Sequence, residues 1–229
     1  MMQHLLLLHG AIGAKDQLQP LGDELSNDYN IHTLNFSGHG GNPFPLSDFS
    51  IGVFADDVIA YLEKNNISKT NIFGYSMGGY VALYLARHLP VLVNRIITLA
   101  TKFHWDPAIA TKEAAILNAD LIEEKVPVFA KQLQQRHYPN DWKIVLQKTK
   151  QLLLQLGQKN ELRLEDYKAI ATPGLLLLGD MDKMVSKEET QEVGDALPNG
   201  RFQLLENVQH PIEKTDIKIL SSVIHQFLG

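Results

Sequence analysis

The strongest functional signal in this 229-residue chain is the motif Gly74-Tyr75-Ser76-Met77-Gly78-Gly79, in which glycines flank a serine. Residues 71–74 form a short apolar run that predicts a β-strand, and residues 78–88 continue through small side chains as a predicted helix. A strand-to-helix turn holds a serine in a strained backbone conformation, with its hydroxyl exposed above the strand ends. The pattern therefore indicates a nucleophilic serine at position 76.

Short apolar runs alternate with amphipathic stretches along most of the chain. The strand candidates are residues 5–8, 31–36, 71–74, 95–100, 174–178 and 201–205. The first, fourth and fifth are apolar nearly throughout, as parallel strands covered on both faces are. Helix candidates lie between them at residues 56–64, 78–88 and 188–197, and one more, at residues 212–228, closes the chain. This alternation predicts an α/β fold with a doubly wound, mostly parallel sheet of about six strands and helices on both faces.

Residues 102–172 interrupt the alternation, because no convincing strand occurs among them. Apolar side chains at residues 142–156 fall on one helical face, and Gly157 is the predicted C-cap of that helix. Prolines within the segment suit the first positions of further helices. The sequence therefore predicts a helical lid at residues 102–172, inserted into an α/β core that comprises residues 1–101 and 173–229.

A serine hydroxyl needs a general base near neutral pH, and the chain has nine histidines. His210 fits this role best, because it follows the last predicted strand and precedes the last predicted helix. Asp180 and Asp182 both follow the strand at residues 174–178, and either could orient the imidazole. The chain order of serine, acid and histidine is one in which such triads occur on α/β sheets.

An oxyanion formed at Ser76 needs two hydrogen-bond donors. The Met77 N–H follows the serine directly and lies at a predicted helix start. The second donor should come from the loop after the first strand, where Gly10 allows close backbone approach and the Ala11 N–H is the expected donor. His9, in the same loop, is expected to order the loop by hydrogen bonding rather than to act as a base.

Together these features resemble the α/β-hydrolase superfamily, in its small esterase-like branch. The motifs that carry the resemblance are Leu8-His9-Gly10, Phe36-Ser37-Gly38-His39-Gly40, the turn at residues 74–79, Gly179-Asp180-Met181-Asp182, and His210. In the family pattern the acid is the aspartate third after the glycine, so the resemblance implies a Ser76–Asp182–His210 triad. The family's lid follows its sixth strand, where residues 102–172 lie. The chain is expected to lack the two antiparallel strands that begin the family's sheet.

The resemblance implies a serine hydrolase that cleaves an ester or related acyl bond through an acyl-enzyme intermediate. Aromatic residues of the predicted lid suggest a pocket for a small, largely apolar molecule, with Trp105 and Phe129 as substrate-binding residues. Lys102, Lys183 and Arg136 are alternatives for binding a substrate carboxylate or phosphate. A carbon–carbon bond hydrolase or lyase on the same triad also fits, as does a non-catalytic ligand-binding module.

Composition excludes several classes of site and partner. The chain has no cysteine, which excludes disulfides, thiolate metal ligands and cysteine nucleophiles. A net charge of −5 and a pI near 6.0 argue against nucleic acid and anionic membrane as partners, so a small-molecule substrate is the expected partner. No histidine pair has metal-ligand spacing, and no metal or other cofactor is expected. With no signal-peptide pattern and no long apolar stretch, we expect a cytoplasmic protein without membrane insertion.

Overall fold

The computed structural model describes residues 2–229. Six strands form one parallel sheet: β1 Gln3–Leu8, β2 Tyr29–Thr33, β3 Thr70–Tyr75, β4 Val93–Leu99, β5 Gly174–Gly179 and β6 Gly200–Leu205. Their order across the sheet is β2-β1-β3-β4-β5-β6. The predicted α/β fold with a doubly wound parallel sheet is therefore confirmed.

Ten α-helices lie in the described part of the chain: α1 Gln19–Leu25, α2 Ile51–Lys64, α3 Met77–His88, α4 Pro107–Ile116, α5 Ala119–Lys125, α6 Pro127–His137, α7 Trp142–Gln158, α8 Leu164–Lys168, α9 Lys187–Ala196 and α10 Ile217–Leu228. Side chains that accept a hydrogen bond from the first turn cap several of them, namely Ser50, Asp106, Asn118, Asp141, Ser186 and Asp216. Between residues 2 and 229, no helix is both long and apolar enough to cross a membrane.

The leucines of β1 show why the sheet is covered on both faces. Leu5 and Leu7 belong to the hydrophobic cluster that includes α1 and α10, whereas Leu6 and Leu8 belong to the cluster that includes α2 and α3. Successive side chains of a strand point to opposite faces, so a run of apolar residues requires helices on each side. All four leucines are fully buried, and burial of each contributes about 1.5–3 kcal/mol.

The second strand ends earlier than the apolar run at residues 31–36 predicts. It spans Tyr29–Thr33, because its partner β1 ends at Leu8 and the pairing stops where Leu7 lies opposite Thr33. Phe36 stays fully buried, but its N–H donates to His9 Nε2 at 3.2 Å instead of to a strand. The apolar residues after Thr33 thus belong to a loop that the core buries.

Between β4 and β5 the described residues form five helices, α4 to α8, and no strand. The predicted C-cap at Gly157 is wrong, because α7 continues to Gln158 and its C-cap is Lys159. A Cβ added to Gly157 would collide with Ala110 Cβ and lie 2.7 Å from the Asp106 carbonyl oxygen. The glycine therefore allows α7 to pack closely against α4.

Candidate active site

Ser76 lies between β3 and α3 in a strained backbone conformation. Its φ of 51° and ψ of −117° fall in a region that residues other than glycine rarely adopt. A Cβ added to Gly74 would strike the backbone of Gly78 and Gly79. A Cβ added to Gly78 would strike the Leu8 carbonyl. The turn thus requires glycine on both sides of the serine.

Two hydrogen bonds hold this turn against the neighbouring strand β4 and the residues that follow it. The Ser76 N–H donates to the Leu99 carbonyl oxygen at 2.8 Å. The Thr101 hydroxyl donates to the Ser76 carbonyl oxygen at 2.9 Å. With its backbone fixed in this way, the serine has only its side-chain torsion left to vary.

Asp182 and His210 form a hydrogen-bonded pair. His210 Nδ1 lies 2.8 Å from Asp182 Oδ2. Asp182 Oδ1 accepts the Met184 and Val185 N–H groups at 2.8 and 3.0 Å, and its side chain is 0% exposed. Burial would raise the pKa of Asp182, but the hydrogen bond and charge of His210 and these backbone N–H groups lower it overall. The anionic carboxylate keeps the proton on Nδ1 and leaves Nε2 to accept another.

Asp180, the alternative acid, is differently placed. Its side chain is exposed, and its Oδ1 accepts the Val208 N–H at 3.3 Å. Among the described residues it makes no hydrogen bond to His210. The geometry therefore pairs Asp182, and not Asp180, with the imidazole.

The sheet order explains why these side chains meet. Asp182 follows β5 and His210 follows β6, and Gly179 at the end of β5 lies opposite Leu205 at the end of β6. Ser76 follows β3, which is the direct neighbour of β1. The carboxyl ends of parallel strands share one edge, and a crevice forms where the strand order reverses, here between β1 and β3.

The two predicted oxyanion donors lie beside Ser76. A Cβ added to Gly10 would lie 3.2 Å from Ser76 Cβ, so the loop after β1 packs directly against the serine. Ala11 and Met77 both line the same cavity as Ser76. Neither the Ala11 N–H nor the Met77 N–H donates a hydrogen bond to another described residue. Two backbone N–H groups beside the serine are therefore without an acceptor in the described part of the chain.

His9 joins two loops of the core. It is fully buried, with Nδ1 2.8 Å from the Gly10 carbonyl oxygen and Nε2 accepting the Phe36 N–H at 3.2 Å. Burial lowers its pKa to about 4, so the imidazole is neutral near pH 7. The hydrogen bonds place His9 in the loop-ordering role expected from its position.

His9, His39 and His137 lie in a buried row. The ring centroid of His39 lies 5.3 Å from that of His9 and 5.7 Å from that of His137. Burial lowers the pKa of His39 and of His137 as well. No three histidine, aspartate or glutamate side chains within residues 2–229 are grouped so that they could hold a metal ion.

A cavity of about 300 Å³ opens beside Ser76 and His210. Trp105 and Phe129, the predicted substrate-binding residues, both line it. Most of the remaining wall is apolar and comes from α4 and α7, through Ile116, Leu152, Leu153 and Leu156. The five helices between β4 and β5 thus supply a large part of the cavity wall.

Two of the three cations considered for anion binding line this cavity, and both have protein partners. Lys102 Nζ lies 3.6 Å from Glu189 Oε2. Arg136 lies 3.4 Å from Asp16 and 3.7 Å from Glu213. The third cation, Lys183, is not among the residues that line the cavity.

Glu113 and Thr149 also line the cavity, and sequence reasoning did not single them out. Glu113 is 7% exposed and Thr149 is 1% exposed. Glu113 Oε2, Thr149 Oγ1 and Trp105 Nε1 are buried without a hydrogen-bond partner in the described part of the chain. Glu113 shares the buried face of α4 with Ala110 and Ala114, a placement that becomes evident only in the folded chain.

Comparisons with known proteins agree with this architecture. Residues 3–136 match the family described as alpha/beta hydrolase fold. A putative carbamate hydrolase RutD of Pseudomonas savastanoi pv. phaseolicola is 25% identical over 228 residues, covering 90% of this chain and 85% of that protein. A putative esterase/lipase of Haemophilus influenzae is 32% identical over 95 residues, which are 42% of this chain and 33% of that protein.

Among solved structures, the enol-lactonase from Burkholderia xenovorans superposes with a TM-score of 0.82 at 18% identity, covering 100% of this chain and 92% of that chain. This likeness concerns the fold. The family match, in contrast, rests on sequence and spans more than half of the 229 residues. The chain therefore belongs to the alpha/beta hydrolase fold family.

Proposed function

We propose that this chain is a serine hydrolase that cleaves an ester or related acyl bond of a small, largely apolar substrate. The observation that carries the proposal is the Asp182–His210 hydrogen bond at a cavity that Ser76 also lines. A buried carboxylate behind an imidazole orients the ring and stabilises the imidazolium that forms during proton transfer. Relatives named carbamate hydrolase and esterase/lipase support a hydrolytic reaction.

In the proposed first step, His210 Nε2 takes the hydroxyl proton of Ser76 while Oγ bonds to the substrate carbonyl carbon. The carbonyl π electrons move to oxygen, and this oxyanion accepts hydrogen bonds from the Ala11 and Met77 N–H groups. The electron pair then returns, and the alcohol leaves with the proton from His210. The acyl group remains on Ser76.

In the second step, His210 deprotonates a water molecule that attacks the acyl carbon. Collapse of the second oxyanion releases the carboxylic acid and returns the proton to Ser76 Oγ. Among the described residues, Ser76 Oγ makes no hydrogen bond to His210. The first step therefore needs a rotation of the serine side chain, and catalytic hydrogen bonds commonly tighten only when substrate binds.

The proposal divides the chain into a catalytic core, residues 1–101 and 173–229, and a lid, residues 102–172. All three triad side chains and both oxyanion donors belong to the core. The apolar wall contributed by α4 and α7 belongs to the lid. On this division the core performs the chemistry, and the lid excludes water and selects the substrate.

The test of this function is Ser76→Ala. We expect kcat for p-nitrophenyl acetate and butyrate to fall about 10³-fold or more, because only the oxyanion donors and binding remain. A fluorophosphonate probe should label wild type and not the variant. Ser68→Ala, at an exposed position outside the cavity, is the matched control and should keep both properties.

Retention of near-normal esterase activity by Ser76→Ala would contradict the assignment of the nucleophile. If the probe labels Ser76 but no ester in a series of rising acyl length is hydrolysed, the proposal that the chain cleaves esters is contradicted instead. Circular dichroism of each variant shows whether the fold is intact.

A further inference from the structure

We infer that Glu113 forms a cation-binding subsite in the cavity beside Ser76, and that the substrate carries an ammonium group away from the bond that is cleaved. The inference rests on the proposed function, because it names a feature of the substrate that the same site would hydrolyse.

The Glu113 side chain is mostly buried, and no protein group pairs with its carboxylate. It projects from α4 on the face that buries Ala110 and Ala114, and the residue is only 7% exposed. Neither a hydrogen bond nor an ion pair joins it to any other described residue, and its Oε2 has no exposure. Removing a carboxylate from water without a partner is strongly unfavourable, so a buried one calls for a ligand that restores the lost interactions.

Charge balance in the cavity indicates the sign of that ligand. Lys102 already pairs with Glu189, and Arg136 already pairs with Asp16 and Glu213. The imidazole of His210 is likewise held by Asp182. Of the charged side chains that line the cavity in the described part of the chain, Glu113 is thus the one without an oppositely charged partner. A cation on the ligand would supply it.

The neighbouring polar atoms fit a nitrogen cation with several N–H groups. Thr149 lines the same cavity from α7, which packs against α4, and its buried Oγ1 has no hydrogen-bond partner among the described residues. A hydroxyl oxygen accepts a hydrogen bond from an ammonium as a carboxylate does. The indole Nε1 of Trp105 is a donor, so it calls for an acceptor atom elsewhere on the ligand.

The apolar wall completes the description of the substrate class. Ile116, Leu152, Leu153 and Leu156 line the space that contains Glu113, so a chain of methylene groups suits the intervening part. An ester of an ω-amino acid has these features: a carbonyl for Ser76, an apolar chain, and a terminal ammonium for Glu113. A charge-assisted hydrogen bond in such a largely apolar site is stronger than one in water.

Binding can be tested without turnover in the Ser76→Ala variant. We expect hexylammonium chloride to bind about 10- to 100-fold more tightly than 1-hexanol in isothermal titration calorimetry, because only the ammonium pairs with the carboxylate. Adding Glu113→Gln should remove this difference. Adding Glu124→Gln, which changes an exposed carboxylate outside the cavity, should leave it. Equal affinities for the two probes, or a preference that survives Glu113→Gln, would overturn the inference.

Turnover provides an independent measurement. Wild type should prefer p-nitrophenyl esters of ω-amino acids to the isosteric fatty-acid esters, for example 6-aminohexanoate to heptanoate, across chains of three to eight carbons. Glu113→Gln should reduce this ratio of kcat/KM by about 10- to 100-fold, because kcat/KM for the amino-acid esters should fall more than kcat/KM for the fatty-acid esters. Its melting temperature should not fall, because the replaced charge has no partner in the protein.

The outcomes separate the two proposals. Both ester series could be hydrolysed while Glu113→Gln leaves the ratio of their kcat/KM values unchanged. The proposed cation-binding subsite is then wrong, and the hydrolase function stands. If Ser76 is not labelled and no ester is hydrolysed, the function is wrong, and the calorimetric comparison still decides the role of Glu113.

Discussion

At the scale of single residues, the two aspartates after β5 show how finely the site is determined. Asp180 and Asp182 are two positions apart, but only Asp182 is buried against His210. Asp180 instead binds the Val208 N–H near the surface. The turn between them directs one carboxylate to the imidazole and the other to solvent.

This difference leads to a direct comparison of two amide variants. Asp182→Asn should lower kcat for p-nitrophenyl acetate by about 10⁴-fold, since an amide in place of a triad carboxylate favours the wrong imidazole tautomer. Asp180→Asn is the matched control and should leave kcat little changed. Comparable losses of kcat in the two variants, or a larger loss in Asp180→Asn, would show that the assignment of Asp182 as the orienting acid is wrong.

Residue identities were predictable where local chemistry is distinctive. Ser76 stands in a glycine-flanked turn, and His210 stands at a junction after the last strand, so both were named from sequence. Glu113 was not, because an acidic residue in a short helix is ordinarily solvated. Its burial depends on α7 packing over α4, which the local sequence does not encode.

At the scale of elements, the segment between β4 and β5 supplies side chains for the cavity but none of the three proposed triad residues. Trp105 lies just before α4, and Phe129 lies in α6. Both line the cavity. This arrangement separates the groups that would contact the substrate from those that would react with it.

We therefore expect Trp105→Ala and Phe129→Ala to change the preference among p-nitrophenyl esters of different acyl length. Losing one apolar contact alters discrimination by about 10- to 200-fold. Labelling of Ser76 by a fluorophosphonate should persist. Val128→Ala, beside Phe129 but exposed and outside the cavity, is the control. Folded variants that lose labelling would show that the segment contributes to the catalytic machinery itself.

Helices and strands were predicted best where the hydrophobic pattern extends over the whole element. All six strands and the long helix α7 were located from sequence, but α1, α5 and α8 were not, since helices of five to seven residues carry too few turns to show a period. The predicted helix at residues 212–228 is a short 3₁₀ turn followed by α10, because Asp216 caps a new helix start.

At the scale of the whole molecule, the buried histidine row couples folding to pH. The folded-state pKa of His9 is about 4, below the ordinary value of 6.5, because burial disfavours the charged imidazole. The unfolded chain therefore binds more protons between these values. This contribution to stability is fully present above about pH 6.5 and is lost as pH falls towards 4.

The free energy of unfolding should accordingly drop between about pH 7 and pH 4.5, with His9 contributing about 3 kcal/mol over the full window. His39 and His137 act in the same direction, since burial lowers the pKa of each. His9→Asn should lessen this drop in urea unfolding measured at the two pH values. His104→Asn, at an exposed position, tests whether loss of any imidazole suffices. An unchanged drop in His9→Asn would contradict the assignment.

The linear order of residues already specified the fold class and the candidate residues of the site. Apolar runs bounded by glycines and aspartates imply a covered parallel sheet, and a serine between glycines at a strand end implies a strained turn. These features are local, since backbone sterics and side-chain periodicity act over a few residues. For the same reason the candidate residues of the triad could be named before any contact between them was known.

Which of these residues contact one another, in contrast, depended on the order of the strands in the sheet. Pairing of β1 with β3 brings Gly10 against Ser76, and pairing of β5 with β6 brings Asp182 within 2.8 Å of His210. Packing of α7 on α4 leaves the Glu113 carboxylate without a protein partner. These contacts join residues far apart in the chain, and burial of apolar surface on both faces of the sheet selects them, a cooperative effect that no single stretch of sequence contains.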